Sequence, residues 1–180
     1  MNETIQNLKT RRSVRNFSDK PVAKELIEQI VDAGLWAPSG MGKQAPIILA
    51  VTNKELRDKL SAMNADVMRS SGRGPAGDFD PFYGGPVVLV VLADRSVVTH
   101  VYDGSLVMGN LMNAAKSLGV DSIWIHRAKE VFDSDEGKAI LAELGVAGDY
   151  EGIGNCVLGY AKEPAGDGAP RRDARVFWAE

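Results

Sequence analysis

The strongest chemical feature of the chain lies near its start, where Arg11-Arg12-Ser13-Val14-Arg15 gathers three guanidinium groups and a hydroxyl. A guanidinium is a rigid fork of donors matched to phosphate oxygens, and a serine among arginines adds a hydroxyl or a backbone donor. The natural partner is a phosphate; the alternative is a solvated basic patch after a short helix. A second basic group, Arg171, Arg172 and Arg175, lies near the other end. If the fold joins the two ends, one phosphate can be gripped from both sides. Three charge-assisted hydrogen bonds at ~1.5 to 3 kcal/mol each supply ~5 to 9 kcal/mol, close to the ~8 kcal/mol of micromolar binding.

Other chemistries lack their residues. The sequence has no Gly-x-Gly-x-x-Gly after a strand, no phosphate loop ending in Gly-Lys-Ser or Gly-Lys-Thr, and no Gly-x-Ser-x-Gly nucleophile elbow. The two histidines, His100 and His126, stand apart with no matching acid or cysteine pattern. His126, at a strand end, reads equally as a site residue or a structural one, whereas His100 reads as a helix-start residue. The lone Cys156 sits in an apolar run and reads as an inert buried thiol, and no cysteine-histidine cluster has metal-ligand spacing.

Composition sets the frame. With 180 residues, 44% hydrophobic and 25% charged, the chain fits one domain, or one subunit whose core a partner completes. A net charge of -3 argues against a nucleic-acid binder, which needs a broad basic face. The polar start, with no apolar segment behind a positive charge, suggests no signal peptide, and no run approaches the ~20 apolar residues of a membrane span. The cytoplasm is the default expectation.

Periodicity supplies the elements that position the arginines. Residues 2–10 predict a short helix. Val22 to Trp36 predicts an amphipathic one, followed by the loop Ala37-Pro38-Ser39-Gly40-Met41-Gly42-Lys43-Gln44-Ala45-Pro46. Ile47 to Thr52 reads as a strand and Lys54 to Met63 as a helix. Arg69 to Gly85, with five glycines and with Phe79, Phe82 and Tyr83, reads either as an aromatic lid over a flat ligand or as a loop pinned by its own aromatics. Pro86 to Ala93 is a strand buried on both faces. His100 to Leu118 is a helix apolar over most of its surface, hence buried in the core or shared with a second subunit, with Gly104 and Gly109 permitting close approach and Gly119 ending it. Asp121 to His126 is a strand, Asp133 with Glu136 reads as a capping box for a helix closed by Gly145, and Ile153 to Tyr160 is the last strand. The tail, Ala161 to Glu180, ends in Val176-Phe177-Trp178, which calls for docking on another surface.

In this order, the arginine motif, the Ala37-Pro38-Ser39 loop with Gln44, the buried helix, Trp124-Ile125-His126-Arg127, Gly152-Ile153-Gly154 and the late arginine pair resemble the nitroreductase family of FMN-dependent oxidoreductases over nearly the whole chain. The resemblance implies a single α+β domain over residues 1–180, with a mixed β-sheet flanked by helices, in an intertwined homodimer. Its long helices would pack together and its carboxy-terminal segments would reach across the partner. It implies that Arg11, Arg12, Ser13 and Arg15 match the family's phosphate and ribityl contacts, and that Arg171 or Arg172 matches its late basic contact. Pro38, Ser39, Gly40, Met41 and Gln44 match the loop that the second subunit brings to the flavin, and Ile125, His126 and Arg127 follow the strand beside the isoalloxazine ring.

The implied activity is ping-pong transfer from NADH or NADPH, through FMN, to nitroaromatic, quinone or related acceptors, with no side-chain nucleophile required. A different flavin chemistry, such as a dehydrogenase or a flavin-fragmenting activity, and a flavin-binding protein without turnover are the alternatives. Two departures stand out. Gly42 occupies a place where family members often carry asparagine, and the family's longer substrate-covering helices are replaced by the Arg69 to Gly85 loop.

Overall fold

A computed structural model describes every residue except Met1, Arg73 and Ala76. The sheet is built around Val87–Asp94 (β2), the valine-rich run, whose residues from Val88 to Ala93 are fully buried. Because successive side chains of a strand point to opposite faces, β2 serves two half-cores at once. Val88, Val90 and Leu92 pack with Leu60 and Phe132 on one side, and Val87, Leu89 and Val91 pack with Ile30, Met108 and Leu111 on the other.

Pro46–Val51 (β1) pairs with β2 on one edge, and Tyr150–Gly159 (β4) pairs with β2 on the other. Asp121–Ile125 (β3) follows β4, giving the order β1-β2-β4-β3. The expected mixed sheet thus has four antiparallel strands, and among the described residues parallel pairing enters through the isolated bridge between Ser13 and Ser122. β3 is an edge strand, and among the described residues its outer side has no strand partner beyond Ser122.

Helices cover both faces. Lys24–Leu35 (α2) and His100–Ser117 (α4) lie towards one half-core, and Glu3–Thr10 (α1), with no buried residue, rests on α4 through Asn7 Nδ2 donating to Asn113 O at 2.9 Å. Lys54–Ser70 (α3), Ala128–Asp133 (α5) and Asp135–Glu143 (α6) lie towards the other. Gly104 brings α4 onto β4, where an added Cβ would come within 2.5 Å of Ile153. Gly109, expected to allow the same approach, faces open space.

Three local expectations change. α3 continues to Ser70 rather than stopping at Met63, since no breaker intervenes before Gly72. The helix cap is Ser134, whose Oγ accepts from Gly137 N at 3.0 Å. Asp133 ends the short helix α5, which periodicity missed, and Glu136 faces Lys59 at 3.2 Å. β4 begins at Tyr150, because a bulge opposite Val91 and Leu92 leaves Ile153 out of register and lets pairing continue to Asp94.

Candidate functional site

The segment after α1 runs beside the exit of β4 and brings the chain's two ends together. Val14 N donates to Ser122 O at 3.2 Å, Ser18 N to Tyr160 O at 2.8 Å and Lys162 N to Asn16 O at 2.9 Å. Between them opens a cleft of about 720 Å³, lined by Arg11, Arg12, Ser13, Arg15 and Arg171 among others, with Glu163 and Asp167 as its acids. Arg172 is not part of that lining.

Arg12 donates to the Lys9 and Arg11 carbonyls, both at 2.9 Å, and lies against Gly168, where a Cβ would stand 3.0 Å from the guanidinium. Arg11 Nη1 is buried and, among the described residues, has no hydrogen-bond partner. Among the described residues, none of Arg11, Arg12, Arg15 and Arg171 forms an ion pair. Guanidinium groups that outnumber the acids of a recess and pair with none of them form a site for an anion.

Arg15 also lines a second hollow of about 530 Å³, which lies along the open edge of β3. Ile123, Trp124, Ile125, His126 and Arg127 form one side, and Asn64, Met68, Phe79 and Tyr83 form the other. Trp124, His126 and Arg127 are shared with a third hollow of about 580 Å³ under Val101 and Ser105 of α4. Arg15 joins the first hollow to the second, so these two make a trough beside β3, basic at one end and apolar and aromatic further along; the third adjoins it across Trp124, His126 and Arg127, on the α4 side of the sheet.

The Gly152-Ile153-Gly154 run explains this shape. A Cβ on Gly154 would fall 2.4 Å from Trp124 Nε1, and one on Gly152 would fall 2.2 Å from the Ala128 carbonyl. The two glycines therefore let the indole and the start of α5 close on β4. Arg127 turns the chain out of β3 with φ of 80°, a left-handed conformation that is costly away from glycine and concentrates at functional sites.

Asn64, which nothing in the sequence singles out, also lines this hollow. It is almost fully buried on α3, its Nδ2 donates to His126 O at 2.8 Å, and its Oδ1 has no partner. A polar side chain on an amphipathic helix carries no distinguishing signal in sequence. Only the fold places it at the hollow.

The segment from Phe79 to Tyr83 is held by Asp80. Its carboxylate pairs with the buried Arg57, accepts from Ser61 Oγ at 2.6 Å, and accepts from Phe82 N at 2.9 Å and Gly84 N at 2.7 Å. Burial works to raise the Asp80 pKa, but the bonds from Arg57, Ser61 and the two amides outweigh it, so the carboxyl titrates below the usual aspartate range. The aromatic stretch is therefore pinned, and Phe79 and Tyr83 still wall the hollow.

The loop Pro38, Ser39, Gly40, Met41 and Gln44 does not line the arginine cleft of its own chain. It is moored to α4, where Gly40 N donates to Asp103 Oδ1 at 3.0 Å, and Gln44 N donates to Ser39 Oγ at 3.0 Å. Met41 and Gln44 both have positive φ, and Met41 is 85% exposed. His100, as expected, starts α4, with Nδ1 2.8 Å from Val97 O. Burial pushes the Cys156 thiol up to about 12, with Arg11 working against it, so the cysteine stays an inert thiol. Among the described residues no acid, histidine or cysteine cluster could hold a metal, and no helix is long and apolar enough to cross a membrane.

The description "Nitroreductase family" matches residues 8–160 of this chain. The chain belongs to the nitroreductase family. Among curated relatives of this nitroreductase-family chain, the FMN reductase [NAD(P)H] of Bacillus subtilis is 30% identical over 140 residues, 68% of this chain and 53% of that protein. The chain spans between 53% and 60% of the length of the first curated relatives it matches. Solved structures agree over the full length. A nitroreductase with bound FMN from Bacteroides fragilis superposes with a TM-score of 0.87 at 27% identity, and one from Desulfitobacterium hafniense with 0.86 at 28%, each covering 100% of both chains.

Proposed function

We propose that this nitroreductase-family protein, as one domain spanning residues 1–180, binds FMN along the trough beside β3. It passes electrons from NADH or NADPH to small flat acceptors, nitroaromatic or quinone-like, in a ping-pong cycle in the cytoplasm. One observation carries the reading: the cleft built by both chain ends holds guanidinium groups that, among the described residues, form no ion pair, with Arg11 Nη1 buried and without a hydrogen-bond partner there. FMN has one phosphate to occupy it and a planar ring system for the aromatic part of the trough.

Arg11, Ser13, Arg15 and Arg171 would hold the phosphate and ribityl end, with Arg12 fixing the turn that presents them. Asn64 and the backbone of Ile125, His126 and Arg127 would meet the polar edge of the ring. When bound, FMN supplies the electron transfer itself. The chain's part is to orient the ring, keep water from it and place positive charge at its anionic end.

The reading includes a homodimer. Trp36 and Tyr102 are 80% and 73% exposed, Met41 and Leu106 lie open, and Gly109 faces empty space on the same α4 helix. Such a surface calls for a partner. A second copy would cover it and bring its own Pro38, Ser39, Gly40, Met41 and Gln44 loop to the ring. Phe177 and Trp178, 88% and 84% exposed at the end of the tail, would dock on that copy.

The test is an absorbance spectrum of the purified protein, followed by anaerobic titration with each nicotinamide and a panel of acceptors. A flavin spectrum bleached by NADH or NADPH and restored by an acceptor is the expected result. Protein that cannot be reconstituted with FMN would overturn the reading.

A further inference from the structure

Of the charged groups around the two ring-sized hollows, most are already committed. Lys129 Nζ lies 2.9 Å from Glu151, which Arg95 also holds at 2.6 Å. Asp80 is taken by Arg57, Ser61 and two backbone amides, and Arg15 belongs to the arginine cleft. Arg127 differs. It lines both hollows, and its one side-chain hydrogen bond among the described residues runs from Nη1 to Glu130 Oε1 at 2.7 Å.

A guanidinium carries five N–H donors, so most of its capacity is free. The Glu130 carboxyl is half exposed. Burial works to raise its pKa, but the Arg127 bond outweighs it and keeps the group charged. An ion pair this open to solvent is weak, and a second carboxylate can share or replace it at little cost. With the flavin ring in the hollow of Asn64, Arg127 also fronts the adjoining hollow under α4.

We infer that Arg127 is a specificity residue, selecting flat acceptors that carry a carboxylate, and that Glu130 tunes it as a competing carboxylate. The inference rests on the FMN reading above and narrows its acceptor class to aromatic anions.

The experiment compares 4-nitrobenzoate with 4-nitrobenzamide, which has the same shape and no charge, on FMN-loaded protein. Binding is read from the flavin absorbance change and separately from KM and kcat. The wild type is expected to bind the benzoate about ten-fold or more tightly than the amide, as a charged hydrogen bond allows. Arg127→Gly, compatible with the positive φ, should bring the two affinities within about two-fold of each other. Glu130→Gln should tighten the benzoate a few-fold and leave the amide alone, with the effect in KM rather than kcat. The second variant decides the matter even if the first loses flavin. Flavin-loaded wild type with no preference, or a preference unmoved by Glu130→Gln, would overturn this inference alone, whereas wild type that takes up no FMN would overturn the FMN reading with it.

Discussion

At the residue scale, the cleft is defined by arginines that form no ion pair with its two acids, Glu163 and Asp167. Among the described residues, Arg11 has a buried nitrogen with no partner, and Asn64 has a buried oxygen with none. Leaving such groups unsatisfied costs about 1 to 3 kcal/mol each, a cost that a bound phosphate and a ring N–H would remove. Arg11→Ala and Asn64→Ala are each expected to weaken FMN retention by about ten-fold or more, measured as flavin content after dialysis. Unchanged flavin content in Arg11→Ala would refute its role. The arginines were legible because a dense basic motif in an acidic chain is conspicuous. Asn64 was not, because its meaning depends on where α3 meets β3. Arg12 was legible as a basic residue but not as a structural one: its bonds to the Lys9 and Arg11 carbonyls arise from the turn after α1.

At the element scale, β2, α2 and α4 were legible from periodicity, because buried strands and amphipathic helices impose patterns that survive in one dimension. α5 was not, being a short helix whose direction is set by the positive φ at Arg127 and the glycine at 152. The segment from Phe79 to Tyr83 turned out to be pinned rather than free, through Asp80. Asp80→Asn should destabilise the protein by about 2 kcal/mol in a urea titration at pH 7, since the buried Arg57 would lose the carboxylate charge at its Nη2 and keep only the half-exposed Asp58 at 3.1 Å. The pH dependence has a definite sign. The folded pKa of Asp80 is depressed, so its contribution is complete above the ordinary aspartate value near 4 and is lost as the pH falls through the lower folded value. The gap between wild type and Asp80→Asn should therefore narrow below about pH 4. A gap that is the same at pH 7 and pH 3 would show that the carboxylate charge does not hold the loop.

At the scale of the whole molecule, the fold joins the chain ends into one cleft and leaves an apolar surface and an aromatic tail uncovered. The joining could be guessed from basic groups at both ends, but the register that achieves it, Ser13 on Ser122 and Phe17 on Ala161, depends on tertiary pairing that no local pattern encodes. If the tail docks on a second copy, replacing Phe177 and Trp178 by serine should raise the dimer dissociation constant by ten-fold or more in sedimentation, as loss of two buried aromatics requires, with the circular dichroism of the fold unchanged. In the proposed function the two ends of the chain grip a single phosphate on a flavin. Titrating flavin-free protein with FMN and with riboflavin, which lacks only that phosphate, tests it directly: FMN binding about 100-fold or more tightly than riboflavin is the predicted result, and equal affinity for the two would contradict it.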